Sequence, residues 1–271
     1  MTACPPKPRR EQPVAAKITV SGVSKRFPGK RPVIALENVD LTIESGEFVC
    51  LLGPSGCGKS TLLRMFNSLI RPTSGQIEVE HETSAPLTAM VFQDYSILPW
   101  MSVEENVRFP LEGKGLTPED TSRRADMWIE RLGLAAFRDS YPSALSGGMR
   151  QRVSVARALA FEPEILLMDE PFAALDPQLR RVLQDELLAI WQENQRTVVF
   201  VTHSLDEAIL LGDRVVVMSA RPGRIIADVR VPFDRPRTSD LRSHAEFARL
   251  EQHLWELLAD QVQTTPARSN A

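Results

Sequence analysis

Nine consecutive residues constrain this chain more than any others. Gly53-Pro54-Ser55-Gly56-Cys57-Gly58-Lys59-Ser60-Thr61 follow an apolar, strand-like run, Glu47-Phe48-Val49-Cys50-Leu51-Leu52, and precede a helical pattern that reaches Ile70. Strand, glycine-rich loop and helix at the spacing G-x-x-x-x-G-K-[ST] make a phosphate-cradling P-loop. Glycines let the backbone curl so that successive N–H groups point inward at phosphate oxygens. The helix N-terminus adds the positive end of its dipole. In such a loop Lys59 reaches the β- and γ-phosphates and Ser60 offers its hydroxyl to magnesium. The bland alternative is a glycine-rich turn capping an ordinary helix.

With 271 residues the chain can build one large core or two unequal ones. Charged residues at 25% and hydrophobic residues at 43% place it among ordinary soluble globular proteins. A net charge of −3 gives no basic excess of the kind that marks nucleic-acid binding. Cys4, Cys50 and Cys57 form neither a disulfide framework nor a metal-ligand spacing, which fits reducing conditions. Cys57 lies inside the P-loop, so a thiol reagent is expected to compete with nucleotide there. No run approaches the roughly 18 apolar residues of a membrane-spanning helix. The proline- and charge-rich start has no apolar core of a signal peptide, and residues 1–16 are expected to be a disordered tail.

Along the chain, Ile18-Thr19-Val20 and the stretch Val33 to Ile43 alternate as strands, and Ser24 to Lys30 between them reads as a turn. Gln76 to Glu80 and Thr88 to Phe92 are two more strands, separated by a polar loop from His81 to Pro86. From Asp94 the pattern becomes helical. Ser102-Val103-Glu104-Glu105 is a capping box, and Thr117-Pro118 opens a helix that stops at Gly133. This block, residues 94–160, reads as a helical insertion in an alternating strand–helix chain. The alternation resumes with the strand Ile165 to Met168, a helix marked by Leu179, Leu183, Leu187 and Ile190, and the strand Thr197 to Val201. A short helix, Leu205 to Leu211, and two closing strands, Arg214 to Ser219 and Arg224 to Val231, turn at Pro222-Gly223. Phe247, Leu250, Leu254, Leu257 and Leu258 then share one face of a helix from Leu241 to Val262. Packing on its own domain is the simpler role for that face, and a regulatory or dimer contact the other.

Four apolar residues followed by two acids, Ile165-Leu166-Leu167-Met168-Asp169-Glu170, are the second chemical feature. In an α/β sheet the carboxyl ends of strands face the ligand crevice. Asp169 there can hold magnesium, directly or through water, and Glu170 can activate or orient an attacking water. Without a P-loop the pair would be two solvated acids opening a loop.

The order P-loop, Gln93, Leu145-Ser146-Gly147-Gly148-Met149-Arg150-Gln151-Arg152, Asp169-Glu170, Ala174-Leu175-Asp176 and His203 resembles that of ATP-binding-cassette (ABC) ATPase subunits, over about residues 17 to 231. The octapeptide from Leu145 resembles the family's signature, with Met149 where glutamine is commonest. The resemblance implies an α/β P-loop NTPase fold with a mixed sheet core, an antiparallel β subdomain and the inserted helical subdomain, spanning residues 17–235. Residues 236–271 would then be a C-terminal helix and tail. It implies ATP and Mg2+ as ligands, with Gly53 through Thr61 around the phosphates. Phe27, by itself a lone aromatic that could equally be core, would stack on adenine. Ser60, Gln93 and Asp169 would serve the metal, with Lys59, Gln93, Glu170 and His203 as the catalytic set. Gln93 would touch magnesium and the attacking water, and His203 would reach the γ-phosphate. Ser146, Gly147 and Gly148 open a helix whose N–H groups suit a phosphate, and in this family that phosphate sits on the partner's P-loop. Asp176 would lie at the same seam, so two copies would sandwich two ATP head to tail.

A single cassette with no spanning segment and no coiled-coil linker is expected to be the energy-coupling subunit of an importer. It would sit peripherally on the cytoplasmic face of the cell (inner) membrane. Its partners would be a second copy, integral membrane permease subunits and, indirectly, a periplasmic or extracellular solute-binding protein, with no nucleic acid. Ile97-Leu98-Pro99-Trp100-Met101 and Met218 to Ile225 resemble the branch that serves nitrate, taurine, aliphatic sulfonates and related small anions. The run from His81 to Ala89 departs from that branch in lacking a glycine–proline–arginine sequence. Trp100 is either core or the surface where a membrane subunit docks. A soluble mechanical ATPase is the alternative. The signature argues against a P-loop kinase. The motif order and the lack of an Asn-Lys-x-Asp motif argue against a GTPase.

Overall fold

The computed structural model describes residues 15–81, 87–173 and 175–263. The expected tail lies outside them except at its end, where Ala16 already belongs to a strand. All of the 81–86 loop but His81 lies outside them as well, as does Ala174.

Two sheets organise the chain. The first is antiparallel, in the order β2-β1-β4, from β1 (Ala16–Phe27), β2 (Val33–Glu44) and β4 (Ser74–Val79). The second has the order β5-β6-β7-β3-β8-β9, from β3 (Phe48–Leu52), β5 (Thr88–Val91), β6 (Ile165–Asp169), β7 (Thr197–Thr202), β8 (Arg214–Met218) and β9 (Ile225–Arg230). Its strands run parallel except for β9, which closes the edge antiparallel to β8.

The central strand explains the layering. All five residues of β3 are buried. Its period-two alternation sends Phe48, Cys50 and Leu52 to one face and Val49 and Leu51 to the other. Phe48, Cys50 and Leu52 join the larger core with α4 (Gly147–Ala160), α5 (Pro177–Asn194), α6 (Leu205–Leu211) and α7 (Ala245–Gln263). Val49 and Leu51 join the core shared with α1 (Lys59–Phe66) and the antiparallel sheet. A parallel sheet covered on both faces needs such unbroken apolar strands.

Between β5 and β6 the chain leaves the sheet and builds α2 (Val103–Arg108), α3 (Pro118–Arg131) and α4, which pack on one another. The starts are fixed by their caps. Ser102 Oγ accepts from Glu105 N while the Glu105 carboxylate accepts from Ser102 N. Thr117 caps α3 ahead of Pro118. Residues 94–102, expected to be helical, are irregular. Buried Asn106 explains why: its amide accepts from Leu98 N at 2.7 Å and donates to the carbonyls of Leu98, Met101 and Ser102. That loop is pinned from beneath and presents Trp100, 69% exposed, to solvent.

The expected turn from Ser24 to Lys30 is shorter than its composition suggests. β1 continues through Phe27, with Arg26 opposite Ile34 and Phe27 opposite Val33. Thr73 N donates to Ser24 O at 2.8 Å, and Arg26 N to Thr73 Oγ1. Partners on both sides hold this polar stretch extended against its weak local preference.

The C-terminal segment packs on its own domain. Phe247 and Leu254 of α7 are buried in the larger core. Arg237 donates to the carbonyls of Ile209, Leu210 and Gly212, the unpaired end of α6. Arg242 forks onto Asp206 and reaches Gln184, tying the segment to α6 and α5. Among the described residues, no helix is long and apolar enough to cross a membrane.

Candidate functional site

The P-loop joins β3 to α1 and is held by its own lysine. Lys59 is buried, and its Nζ donates to Gly53 O at 2.7 Å and Pro54 O at 3.0 Å. Gly58 caps α1 at φ 109°, in the left-handed region that favours glycine. A side chain there would also meet Leu36 Cδ2 at 2.7 Å and Ala35 O at 2.8 Å. Ser55 and Gly56 form the exposed tip, while Ser60 and Thr61 open the helix. The first-turn amides of α1 thus point toward the loop's concave side, where an anion is favoured.

Asp169 ends β6 two strands from β3 and meets the P-loop directly. Ser60 Oγ donates to Asp169 Oδ1 at 2.7 Å, and Arg64 Nη2 lies 3.8 Å from Oδ2. Asp169 is almost fully buried, and that burial pushes its carboxyl above the ordinary carboxylate range; the Ser60 hydroxyl and the Arg64 charge pull it back down. One hydroxyl and one carboxylate at this spacing fit Mg2+, which takes few protein ligands and completes its shell with phosphates and water. Among the described residues no group of three or more His, Cys, Asp or Glu could hold a metal by itself.

Glu170 follows at φ 46°, an uncommon conformation for glutamate. Its N–H donates to Val201 O at 3.0 Å, which docks it on the neighbouring strand β7. The strained turn aims the carboxylate along the strand ends, where Oε2 lies 3.2 Å from His203 Nδ1. Asp169 pairs with Val201 in the ladder, so the acid pair and His203 are set side by side by backbone register.

The other expected site residues stand apart from this cluster. Gln93 lies two residues beyond β5, exposed, with no side-chain hydrogen bond among the described residues. Phe27 ends β1, 38% exposed, with the Lys25 ammonium 5.1 Å from its ring centre. Ser146 caps α4 by accepting from Met149 N, and Gly147 and Gly148 form its first turn. A Cβ on Gly148 would sit 1.9 Å from Leu179 Cδ2, so this glycine lets α4 close on the start of α5. Asp176 caps α5, accepting from Gln178 N and Leu179 N. Among the described residues no hydrogen bond joins Ser146, Gly147, Gly148 or Asp176 to the P-loop.

Three residues escaped the sequence reading as site residues. Arg64 could have been found, because it lies one helical turn beyond Ser60 on the same face. Asn106 carries no local signal, and Arg221 enters the sequence reading only within the run Met218 to Ile225; only the tertiary fold shows that they hold the Trp100 loop and the P-loop tip.

Cys57 corrects an expectation. Its thiol is buried beside Lys59 Nζ, 3.8 Å away, and burial raises its pKa. It packs into the core shared with Val49, Leu51 and Met218, so a thiol reagent meets neither an accessible nor an ionised sulfur. In the native chain maleimide should leave Cys57 and Cys50 unmodified. Both should label on unfolding, as peptide mass mapping would show.

The match to known proteins is extensive. Residues 36–173 match the ABC transporter family model. The chain belongs to the ABC transporter family. It is an ATP-binding, ATP-hydrolysing subunit of that family. The cassette is 46% identical over 94% of its length to an uncharacterized ABC transporter ATP-binding protein of Methanocaldococcus jannaschii, covering 96% of that protein. Two relatives from Synechocystis sp. are a bicarbonate transport ATP-binding protein, 42% identical, covering 88% of this chain and 87% of the relative, and a nitrate import ATP-binding protein, 41% identical, covering 89% and 94%. Among solved structures, a dimeric ATP-binding cassette in a post-hydrolysis state bound to ADP and Pi superposes with a TM-score of 0.72 at 32% identity. It covers 80% of this chain and all of that one.

Proposed function

We propose that this cassette powers an importer for a small anion, working as a head-to-tail homodimer against integral membrane permease subunits on the cytoplasmic face of the cell membrane. The observation that carries the catalytic half is the convergence of Lys59, Ser60, Asp169, Glu170 and His203 at the carboxyl ends of three adjacent strands. Gly53 through Thr61 cradle the phosphates of ATP, and Lys59 leaves the carbonyls of Gly53 and Pro54 to meet them. Ser60 and Asp169, with Gln93 from the β5 side, would hold Mg2+, which would supply charge neutralisation at the phosphates. Glu170 takes the proton of a water that attacks the γ-phosphorus in line. The bond to the ADP oxygen breaks, and ADP and phosphate leave. His203 orients the γ-phosphate side, and Phe27 stacks on adenine.

The dimer half has separate support. Ser146, Gly147, Gly148 and Asp176 serve helix caps and packing within this chain and, among the described residues, make no hydrogen bond to its own P-loop. The free amides of α4 suit a phosphate carried by a second copy. The solved neighbour is itself dimeric. Support for the solute class comes from the nitrate and bicarbonate relatives. A solute-binding protein outside the membrane completes such a system.

Trp100 supports the membrane coupling. It is strongly exposed on a loop fixed by buried Asn106, as an interface aromatic should be. The test is affinity capture of the tagged chain from gently solubilised native membranes, with ATPase rates on the eluate. An integral membrane protein should co-purify and raise turnover, and Trp100→Ala should lose most of that partner while keeping basal ATPase. Ribosomes or nothing in the eluate would overturn the importer reading.

A further inference from the structure

The loop between β8 and β9 does more than turn the chain. Its own hydrogen bonds make it stiff: Ser219 Oγ lies 2.9 Å from Ala220 O and 3.0 Å from Pro222 O and accepts from Arg224 N. Gly223 N donates to Ala35 O at 2.9 Å, and Glu37 N donates to Gly223 O at 3.0 Å, which fixes the loop to β2. A Cβ on Gly223 would lie 2.0 Å from Cys57 O, so this loop presses directly against the P-loop. From that base Arg221 reaches the P-loop tip, where Nε and Nη2 both donate to Gly56 O, at 3.0 and 2.9 Å.

We propose that Arg221 is a positioning residue that keeps the P-loop shaped for phosphate by gripping the Gly56 carbonyl from the β8–β9 loop. The argument is geometric. A peptide unit is planar, so holding Gly56 O also orients the N–H of Cys57. That N–H donates to Pro54 O at 3.3 Å, so the peptide is gripped on both sides. Lys59 also holds Pro54 O, but it must release that carbonyl to meet a phosphate. Arg221 has no such competing duty and acts from a separate element. It therefore keeps the tip in place as Lys59 leaves. Two donors converging on one acceptor suit the planar fork of arginine and no other side chain. Among the described residues no carboxylate pairs with Arg221, so its charge also remains at the lip of an anion site.

The inference rests on Gly53–Thr61 being the phosphate cradle, and the experiment separates the two. ATPase kinetics on the full chain should show Arg221→Ala raising KM for ATP about tenfold, with kcat within about twofold of wild type. Inorganic tripolyphosphate, which contacts only the cradle, should lose potency as a competitor by a similar factor, and adenosine should not. Arg221→Lys, with one donor group in place of the fork, should recover part of the loss. An unchanged KM in Arg221→Ala would overturn the proposal, as would a fall in kcat alone or an equal loss for adenosine. Should Arg221→Ala fail to fold, Arg221→Gln carries the same test, and a wild-type KM there has the same meaning. Tripolyphosphate failing to compete with ATP on the wild-type chain would instead sink the cradle assignment.

Discussion

Glu170→Gln should lower the turnover number for ATP by about a hundredfold to ten-thousandfold while leaving nucleotide affinity near wild type. The substitution keeps the volume and the contact with His203 but removes the group that accepts the water's proton. Binding should survive because the contacts assigned to the phosphates belong to Lys59, Ser60 and the P-loop amides, none of which touches the Glu170 side chain. With chemistry blocked, ATP should hold two copies closed. Size-exclusion chromatography in Mg·ATP should then show a stable dimer for Glu170→Gln and a monomer–dimer mixture for wild type. Turnover within threefold of wild type would remove Glu170 from the role of general base.

Lys59→Ala should act on the other quantity. Its ammonium is the buried charge closest to the loop's carbonyls, and a charge-assisted contact to phosphate is among the stronger hydrogen bonds. Nucleotide affinity should fall by on the order of a hundredfold, measured by calorimetry with Mg·ATP. The variant also strips two internal hydrogen bonds from the loop, so part of the loss is disorganisation of the cradle. Lys59→Arg should not restore binding, because the bulkier guanidinium has to fit the small space between Gly53 O and Cys57 Sγ. Wild-type affinity in Lys59→Ala would refute the P-loop assignment.

The elements nearest the chemistry were the most legible. The run Phe48–Leu52, the glycine spacing and Ile165–Asp169 announce strand, loop and strand because each is fixed by local rules: burial on both faces, backbone curl and the carboxyl end of a parallel strand. The caps at Ser102 and Thr117 were legible for the same reason. What failed depended on distant partners. Ser24–Phe27 is a strand because β2 and β4 flank it, and residues 94–102 are irregular because Asn106 claims their carbonyls. Cys57 looked reactive by sequence position, but only the fold shows the thiol turned inward. Arg221 lies 165 residues from the carbonyl it holds, and no window of sequence contains both.

The sheet order has a consequence for how the protein is made. β3, which carries the P-loop, is the first strand of the six-stranded sheet to leave the ribosome, yet its neighbours are β7 and β8. Both of its edges stay unpaired until residues 197–218 have been synthesised. An apolar strand with two open edges invites pairing with other chains, so β3 is open to mispairing until β7 and β8 are in place. Asp169 and Glu170 come with β6, but His203 follows β7, so the full phosphate site cannot assemble around the early P-loop before β7 is made. Ligand-assisted folding of the whole site therefore waits until His203 has been made.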